Sequence, residues 1–373
     1  MSRATVSDAG GATLDSVLIV GAGLLGTSVG LALAASGVDV HLDDLVSENV
    51  HIAVGRQAGR AWDGRARVDL AMVAVPPRVT ASQLRRLQQL DVARTYTHVS
   101  SIQTQVQADV ETLQLDLSCI VGGHPMAGRA SSGPRAASFD LFVGRPWCLC
   151  PMPGTTEQAV EDVRALALRV GAVPTVLSPG EHDQAVALVS HLPQVVSSAL
   201  AGLLGDPAFL QLAGPGLIDT TRIAGSDPGL WTDVLTGNAG PITPLVERLV
   251  VALQQLSSAL SAPPSADRDS RVQAFLSRGV AGRALVPVKR GAQSADFDVV
   301  AVRLGDRPGE LGRLLAAAGD LRVNVEDVRV DHLPGRPDGV VSLTVHAGRS
   351  AELAAGLTAT EWVVEHEQSD VQI

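Results

Sequence analysis

A glycine-rich turn between a buried strand and a helix limits the folds open to this chain more than any other feature. The apolar run SVLIV at residues 16–20 is followed by Gly21, Gly23 and Gly26, which form the pattern G-x-G-x-x-G. A helix-like stretch, TSVGLALAASG, comes next, and a second strand, VDVHLDD, begins at Val38. Strand, helix and strand in this order predict a right-handed βαβ unit in a parallel sheet.

The three glycines have separate roles in binding a dinucleotide. Gly21 permits the tight turn, Gly23 lets the backbone approach a pyrophosphate, and Gly26 lets helix and strand pack closely. The phosphates then meet the positive end of the helix. Asp43 ends the second strand about 20 residues further on, where an acid accepts hydrogen bonds from a ribose. Asp44 beside it, with no adjacent arginine, would repel a 2′-phosphate, so NAD is favoured over NADP.

The strand exit VAVPP at residues 73–77 is typical of a segment close to a nicotinamide. A tight turn followed by a capping aspartate is the alternative interpretation of the glycine motif. The residues predicted to bind the cofactor are Gly21, Gly23, Leu24, Leu25, Gly26, Asp43, Val75 and Pro76.

The chain is predicted to contain three domains after a flexible tail at residues 1–13. Alternating strands and amphipathic helices indicate a Rossmann-type, doubly wound parallel sheet over 14–178. Long apolar helices over 179–285 predict an all-helical domain that pairs with a second chain. Residues 294–373 are expected to fold in the order β-α-β-β-α-β, which is ferredoxin-like.

Composition excludes several classes of function. The net charge of −10 argues against a nucleic-acid partner, whose phosphates require a basic surface. Three cysteines are too few for a disulfide framework, and Cys148 and Cys150 are expected to pack rather than to bind metal. No apolar run reaches the roughly 20 residues of a membrane-spanning helix, and no secretory signal precedes the first strand. We therefore expect a cytoplasmic protein with no metal.

Polar side chains follow two neighbouring strands of the predicted sheet. Ser101 lies in THVSSIQ and His124 in GGHPMAGRASSG, each after a buried strand. Ligands bind outside the carboxyl ends of the strands in a doubly wound sheet, so both residues should face the nicotinamide. His124 can then accept a proton from a substrate hydroxyl, and Ser101 can hydrogen-bond that hydroxyl or the imidazole.

The helical domain adds two polar segments, SHLPQ at 190–194 and DTTRIAGSDPGLW at 219–231. Arg222 can hold a carboxylate in a bidentate contact. Structural alternatives stay open for each residue: a turn histidine at 124, a helix N-cap at Ser101, a helix-end histidine at His191, and an ion pair between Asp219 and Arg222.

Together the segments GAGLLGTSVGLAL, VAVPP, GGHPMAGRASSG, LFVGRPWCLCP, EHDQAVALVSHLPQ and TRIAGSDPGLW resemble the prephenate dehydrogenase family over roughly residues 14–280. The resemblance implies NAD(P)-dependent oxidative decarboxylation of a cyclohexadienyl substrate on the way to tyrosine, and a helical dimer. It implies that His124 acts on the ring hydroxyl, that Ser101 is its hydrogen-bonding partner, and that Arg222 binds a carboxylate. His191 and Asp219 are then further contacts with the substrate.

The chain departs from the family pattern at four positions. His98, Ser100 and Gln103 stand where an acid, a glycine and a lysine are expected, and Ala130 stands where an acid is often found. Because the histidine and serine are retained, the chemistry should be retained as well. The preference between prephenate and arogenate, which has an amino group in place of the side-chain keto group, is left open. A non-catalytic sensor of NAD and amino acids is the alternative from another class.

The C-terminal segment, with DRPGELGRLL and VNVEDVRV, looks like an ACT domain, a regulatory module that commonly binds amino acids. A helix start near Gly309 offers free N–H groups to a carboxylate, facing a strand that begins with Asn324. We expect feedback inhibition by tyrosine, with Asp306, Gly309 and Asn324 as the contacting residues. A purely structural dimerisation module is the alternative.

Overall fold

The computed structural model describes residues 14–129, 131–205, 207–286, 296–332, 338–360 and 362–365. The predicted tail at 1–13 and the departure at Ala130 lie outside these residues. The chain forms two compact units, Met1–Leu249 and Val250–Ile373. The boundary falls inside one long helix, so the three-domain division stays a prediction.

The first unit is built on an eight-stranded sheet in the order β3-β2-β1-β4-β5-β6-β7-β8. The order reverses between β1 and β4, which is the point where a doubly wound sheet binds its ligand. The strands are β1 (Ser16–Val20), β2 (Asp39–Asp43), β3 (Arg60–Ala61), β4 (Val68–Val73), β5 (Ala93–His98), β6 (Ile120–Pro125), β7 (Pro146–Pro151) and β8 (Val173–Val176).

Helices cover both faces of this sheet. Alternate residues of β1 enter opposite cores: Val17 and Ile19 pack in one, and Leu18 and Val20 in the other. Burial on both faces explains why the strands are nearly continuous apolar runs rather than alternating ones. The helices are α1 (Leu24–Ala35), α2 (Ser47–Gly55), α3 (Pro77–Gln89), α4 (Thr104–Thr112) and α5 (Glu157–Arg169).

The Rossmann-type sheet is therefore confirmed, with one difference from an all-parallel arrangement. Strand β7 runs antiparallel to β6, with Cys148 opposite His124 and Trp147 opposite Pro125. The described residues between these two strands contain no crossover helix, and the chain turns back instead of crossing over. Strand β3 is only two residues long and had no signal in the sequence.

A helical region follows the sheet. It comprises α6 (Pro179–Val186), a π-helical turn (Ala187–His191), α7 (Leu192–Ala201), α8 (Pro207–Leu210), α9 (Pro215–Thr221), a 3₁₀ turn (Arg222–Gly225), α10 (Pro228–Gly237) and α11 (Ala239–Ser261). The π turn inserts an extra residue between α6 and α7, a feature that often marks a functional site. Helix α11 extends across the boundary of the two units.

The second unit contains a four-stranded antiparallel sheet in the order β10-β11-β9-β12. Its elements beyond α11 are α12 (Ala266–Ala284), β9 (Phe297–Gly305), α13 (Glu310–Asp320), β10 (Val325–His332), β11 (Asp338–His346), α14 (Ala347–Ala359) and β12 (Val363–Glu365). Helices α13 and α14 pack Leu314 and Leu353 against Val302 and Leu343 of the sheet. The order of elements from β9 onward matches the predicted β-α-β-β-α-β order. Among the described residues, no helix has both the length and the apolar character needed to cross a membrane.

Candidate active site

The glycine turn has the shape required for a pyrophosphate. Gly21 has φ +106°, and a Cβ there would collide with the carbonyl oxygen of Ala74. A Cβ on Gly26 would collide with the carbonyl oxygen of Gly21, whereas a Cβ on Gly23 would have no heavy atom within 4 Å. Gly21 and Gly26 therefore allow close packing between backbone segments inside the protein. Gly23 faces open space, where a phosphate can approach the backbone.

The start of α1 adds backbone donors at the same place. Gly23 is its N-cap and provides no side-chain hydrogen bond, so the N–H groups of the first turn, which include those of Leu24 and Leu25, lack a side-chain acceptor. The turn is tied to the end of β2, because Gly21 N donates to the backbone oxygen of Asp43 at 2.7 Å. Ala22 N donates to the Asp44 carboxylate, also at 2.7 Å.

The Asp43 carboxylate has an arginine partner that its sequence neighbourhood does not contain. Arg86, in the last turn of α3, donates to Asp43 Oδ2 at 2.8 Å, and its guanidinium lies 5.7 Å from the ring centroid of Trp62. No arginine is adjacent to this acid in the sequence, but the fold places Arg86 in contact with it. Val75 and Pro76 lie between β4 and α3, at the carboxyl edge of the sheet.

His124 is the first of three side chains that are linked by hydrogen bonds. The other two, His182 and Asp183, were not predicted from the sequence. His124 lies near the end of β6, and its Nδ1 is 2.9 Å from Nε2 of His182. The other ring nitrogen of His182 is 2.8 Å from Asp183 Oδ1. The signal was present in EHDQAVALVSHLPQ, where two adjacent polar residues, both fully buried in the structure, fall on a helix of apolar pattern.

Asp183 is fixed by the start of α4 as well as by His182. Its two carboxylate oxygens accept from the backbone N–H groups of Gln103, at 2.9 Å, and Thr104, at 2.8 Å. Burial tends to raise the pKa of Asp183, but the hydrogen bonds from His182, Thr104 and Gln103 outweigh it and lower that pKa. A carboxylate is therefore held charged at the helix N-terminus, where the backbone dipoles favour it.

These contacts determine which nitrogen of His124 is free to accept a proton. The Asp183 carboxylate can only accept, so in the neutral tautomer that satisfies both contacts the Nδ1–H of His182 donates to Asp183 and its Nε2 is an acceptor. His124 Nδ1 then donates to that nitrogen. The remaining nitrogen of His124, Nε2, carries a lone pair, which is the arrangement required of a general base.

Burial keeps the imidazole of His124 neutral. Desolvation is the largest cause, and the neighbouring His182 and His191 add to it, so that the pKa of His124 is lowered to about 3. A neutral imidazole is the form able to accept a proton.

His191 belongs to the same buried cluster. It lies in the π turn, is 1% exposed, and its Nδ1 is 3.0 Å from the amide nitrogen of Asn238. The same amide donates to the backbone oxygen of Asp183 at 2.9 Å. Desolvation lowers the pKa of His191 to about 4. The ring of Trp231 packs edge-on against it at 5.9 Å.

Ser101 lies in the short loop between β5 and α4 and is partly buried. The alternative role as a helix N-cap is wrong, because α4 begins at Thr104 and Asp183 accepts from its first N–H groups. In the described part of the chain no hydrogen bond joins Ser101 to His124, whose partner is His182. Ser101 is expected to hydrogen-bond either the imidazole of His124 or the hydroxyl of the substrate. The contact with the hydroxyl stays a prediction.

The two departures at His98 and Gln103 are buried, and both hydrogen-bond to the loop after β5. His98 Nδ1 accepts from Ser100 N at 3.2 Å, and desolvation lowers the pKa of His98 to about 3. The amide of Gln103 donates to the backbone oxygens of Ser100, at 2.7 Å, and Gly123, at 3.2 Å. Gln103 thus joins the loop after β5 to the residue preceding His124, without a charge.

Arg222 lies in the 3₁₀ turn after α9 and is exposed. The turn is attached to α7 by a hydrogen bond from Ala224 N to Ser197 Oγ, at 3.1 Å. Asp219 lies one turn earlier on α9, and the alternative of an ion pair between Asp219 and Arg222 stays open.

The residues predicted for regulation lie in the second unit. Asp306 and Gly309 are exposed in the loop before α13, and Gly309 has φ +90°. Asn324 is also exposed, and its amide donates to Glu326 at 2.5 Å. Across the residues the structure describes, no group of three His, Cys, Asp or Glu side chains is arranged to hold a metal ion.

Two family models and several known proteins match this chain. The nucleotide-binding domain of prephenate dehydrogenase matches residues 29–176, and the dimerization domain of prephenate dehydrogenase matches residues 178–276. The chain is 35% identical to the probable prephenate dehydrogenase NovF of Streptomyces niveus, over 94% of this chain and 99% of that one. It is 26% identical to prephenate dehydrogenase of Bacillus subtilis, over 85% and 88%.

Two solved structures are similar to this chain over 73% and 72% of its length. Prephenate dehydrogenase from A. aeolicus, in complex with hydroxyphenyl propionate and NAD+, has a TM-score of 0.65 at 26% identity and covers 73% of this chain and 98% of its own. Arogenate dehydrogenase from Synechocystis has a TM-score of 0.60 at 27% identity, with 72% and 98% covered. With both domains matched and a relative aligned over nearly its whole length, this chain belongs to the prephenate dehydrogenase family.

Proposed function

We propose that this protein catalyses the NAD-dependent oxidative decarboxylation of prephenate to 4-hydroxyphenylpyruvate. The observation that carries the proposal is the chain His124–His182–Asp183, which leaves one unprotonated imidazole nitrogen at the carboxyl edge of the dinucleotide-binding sheet. Membership of the family supplies the substrate class.

NAD is held by the glycine turn and the acid at the end of β2. Gly23 and the first N–H groups of α1 receive the pyrophosphate, and Asp43 accepts hydrogen bonds from the ribose. Val75 and Pro76 line the nicotinamide end. When bound, NAD supplies the hydride acceptor, and the protein supplies positioning and the movement of the proton.

His124 acts on the ring hydroxyl. Its Nε2 accepts the hydroxyl proton as the hydrogen on the same carbon leaves as hydride, and Ser101 hydrogen-bonds the hydroxyl oxygen. The ring carboxylate then departs as carbon dioxide, and the electrons of the broken carbon–carbon bond make the ring aromatic. The proton on His124 returns to the oxygen, which becomes a phenol. Asp183 stabilises the transient imidazolium through His182.

Arg222 binds a carboxylate of the substrate, with His191 and Asp219 as further contacts. A guanidinium presents paired N–H donors in the geometry of a carboxylate. The exposed position of Arg222 leaves those donors accessible.

Arogenate is the second candidate substrate, and similarity to a solved arogenate dehydrogenase supports testing it. Initial rates of NADH formation with each substrate and with NAD or NADP decide between them. Turnover of prephenate with NAD is the expected result. Binding of NAD without turnover of either substrate would instead favour the non-catalytic sensor.

The C-terminal four-stranded unit is proposed to be an ACT-like regulatory module that binds tyrosine. The left-handed Gly309 at the start of α13 and the exposed Asp306 support an amino-acid site. Glu326 beside Asn324 suits an ammonium group better than a carboxylate. Calorimetry with each aromatic amino acid tests this idea, and absence of both heat and inhibition would favour a structural module.

A homodimer is proposed from the matched dimerization domain. Large apolar side chains exposed on α11 and α12 support it, since a lone chain would leave them in water. Examples are Val250, Val251, Leu253, Leu260, Leu276 and Val280. A cytoplasmic location is proposed as well, and the three unpaired cysteines fit a reducing compartment.

A further inference from the structure

A cation contacts the acid at the end of β2. Arg86, in the last turn of α3, donates from Nη2 to Asp43 Oδ2 at 2.8 Å and from Nη1 to Gln83 Oε1 at 3.1 Å. The side chains of Arg86 and Asp43 are 42% and 28% exposed, so a ligand can reach both. A guanidinium has more N–H donors than these two hydrogen bonds use, and the others can bind a ligand.

A second contact fixes the guanidinium in place. It lies over the ring of Trp62, 5.7 Å from the ring centroid. The backbone N–H of Trp62 donates to the oxygen of Leu42 at 2.9 Å, which attaches the ring to the residue before Asp43. A cation held by an aromatic ring and a carboxylate together keeps one orientation. Arg86 therefore belongs to the edge of the sheet where β2 ends, although 43 residues separate it from Asp43.

The neighbouring acid, Asp44, is engaged by the backbone. It accepts from the N–H groups of Ala22, at 2.7 Å, and Val46, at 2.8 Å. Its carboxylate therefore ties the glycine turn to the loop after β2, and those donors stabilise its charge. The charge of Asp43 is balanced by Arg86 in turn. The two acids thus do not present the pair of uncompensated charges that their sequence suggests.

We propose that Arg86 sets how strongly the site discriminates between NAD and NADP, because it is placed to bind a 2′-phosphate. This inference rests on the proposed contact between Asp43 and the ribose. A hydroxyl hydrogen-bonded to Asp43 lies next to the carboxylate that Arg86 contacts, so a phosphate on that hydroxyl comes within reach of the same guanidinium. The phosphate gains a charged donor but also meets Asp43, so NADP binds more weakly than NAD and is not excluded.

Calorimetry with NAD and with NADP, on the full-length protein without substrate, measures both dissociation constants. The wild-type Kd for NADP should exceed that for NAD by less than about 100-fold. Arg86→Gln leaves Asp43 as a lone carboxylate, so the Kd for NADP should rise about 10- to 100-fold and that for NAD less than about threefold. Arg85→Gln removes an exposed cation from the adjacent position of α3 and should leave both constants unchanged.

A double-mutant cycle assigns the effect to the pair. Asp43→Asn should raise the Kd for NAD about 10-fold through loss of a charged acceptor, and should lower the Kd for NADP because the guanidinium is freed for the phosphate. Adding Arg86→Gln should abolish that gain. The same change for both cofactors in Arg86→Gln, including no change in either, or no binding of NADP to the wild type, would overturn the inference. Unchanged NAD affinity in Asp43→Asn would instead overturn the proposed placement of the ribose.

Discussion

The end of the proposed site that accepts the proton is buried and hydrogen-bonded, whereas the end proposed to bind the carboxylate presents an exposed arginine. His182 and Asp183 are fully buried, and their contacts reach α4, through Gln103 and Thr104, and the start of α11, through Asn238. Arg222, in contrast, is exposed in a 3₁₀ turn, in which Ala224 N donates to Ser197 of α7.

The difference follows from what each end has to do. A general base works only in one tautomer and one orientation, and a rigid network supplies both before the substrate arrives. A carboxylate-binding arginine has to admit a charged ligand from water, so an accessible guanidinium suits it. Changes at the buried end should therefore reduce kcat, and changes at the exposed end should raise KM.

Removal of the proposed base tests the buried end most directly. His124→Asn keeps a polar side chain of similar reach but cannot accept the proton, so kcat should fall about 10²- to 10⁴-fold. NAD affinity, measured by calorimetry, should change little, because His124 is not among the residues proposed to hold the cofactor. Retained turnover would show that another group accepts the proton.

Loss of the Asp183 carboxylate should also lower kcat, but by less than loss of the His124 imidazole. Asp183→Asn leaves His182 without its anionic partner, so His124 loses both its fixed tautomer and the stabilisation of its protonated form. We expect kcat to fall about 10- to 10³-fold with little change in KM.

Asp162→Asn is the matched control for this variant. Asp162 is also a fully buried acid, but it pairs with Arg94 and Thr95 at the other end of the strands. Both variants should lower the melting temperature, and only Asp183→Asn should lower kcat. Equal losses of activity would mean that stability alone accounts for them.

Arg222→Gln tests the exposed end. Loss of a charged, bidentate contact should raise KM about 10- to 100-fold and leave kcat within a few fold. Arg164→Gln removes an arginine whose recorded partner is Glu161 on its own helix, and should leave both constants unchanged. A fall in kcat without a rise in KM in Arg222→Gln would contradict the division between the two ends.

The sequence was sufficient for the features that are local in the chain. The glycine turn, the long strands, the order of elements in the second unit and the place of His124 at the end of a strand all have signals within a few residues. The pairing of His124 with His182 and Asp183 has no local signal, because these two residues follow it by nearly 60 residues and meet it only when the helical region packs on the sheet. The π turn that places His191 is likewise set by packing, and helical periodicity does not reveal it.

The pH dependence of activity should show the smallest change. A histidine base with an ordinary pKa of 6.5 is about 97% protonated at pH 5, which would lower kcat/KM about 30-fold. Because the pKa of His124 is lowered to about 3, the base stays neutral there, and kcat/KM at pH 5 should lie within about threefold of its value at pH 7.

The stability of the folded protein, unlike its activity, should change as the pH falls. In the unfolded chain, His98, His124 and His191 return to ordinary pKa values and bind protons that the folded protein does not bind. Their contribution therefore favours unfolding increasingly as the pH falls below about 6.5, and the melting temperature should decline over the range in which activity stays flat. A fall in kcat/KM on the acid side near pH 6.5 would contradict the lowered pKa of His124. If only variants at His182 or Asp183 removed this fall, the hydrogen-bond network, rather than burial, would control the pKa of His124.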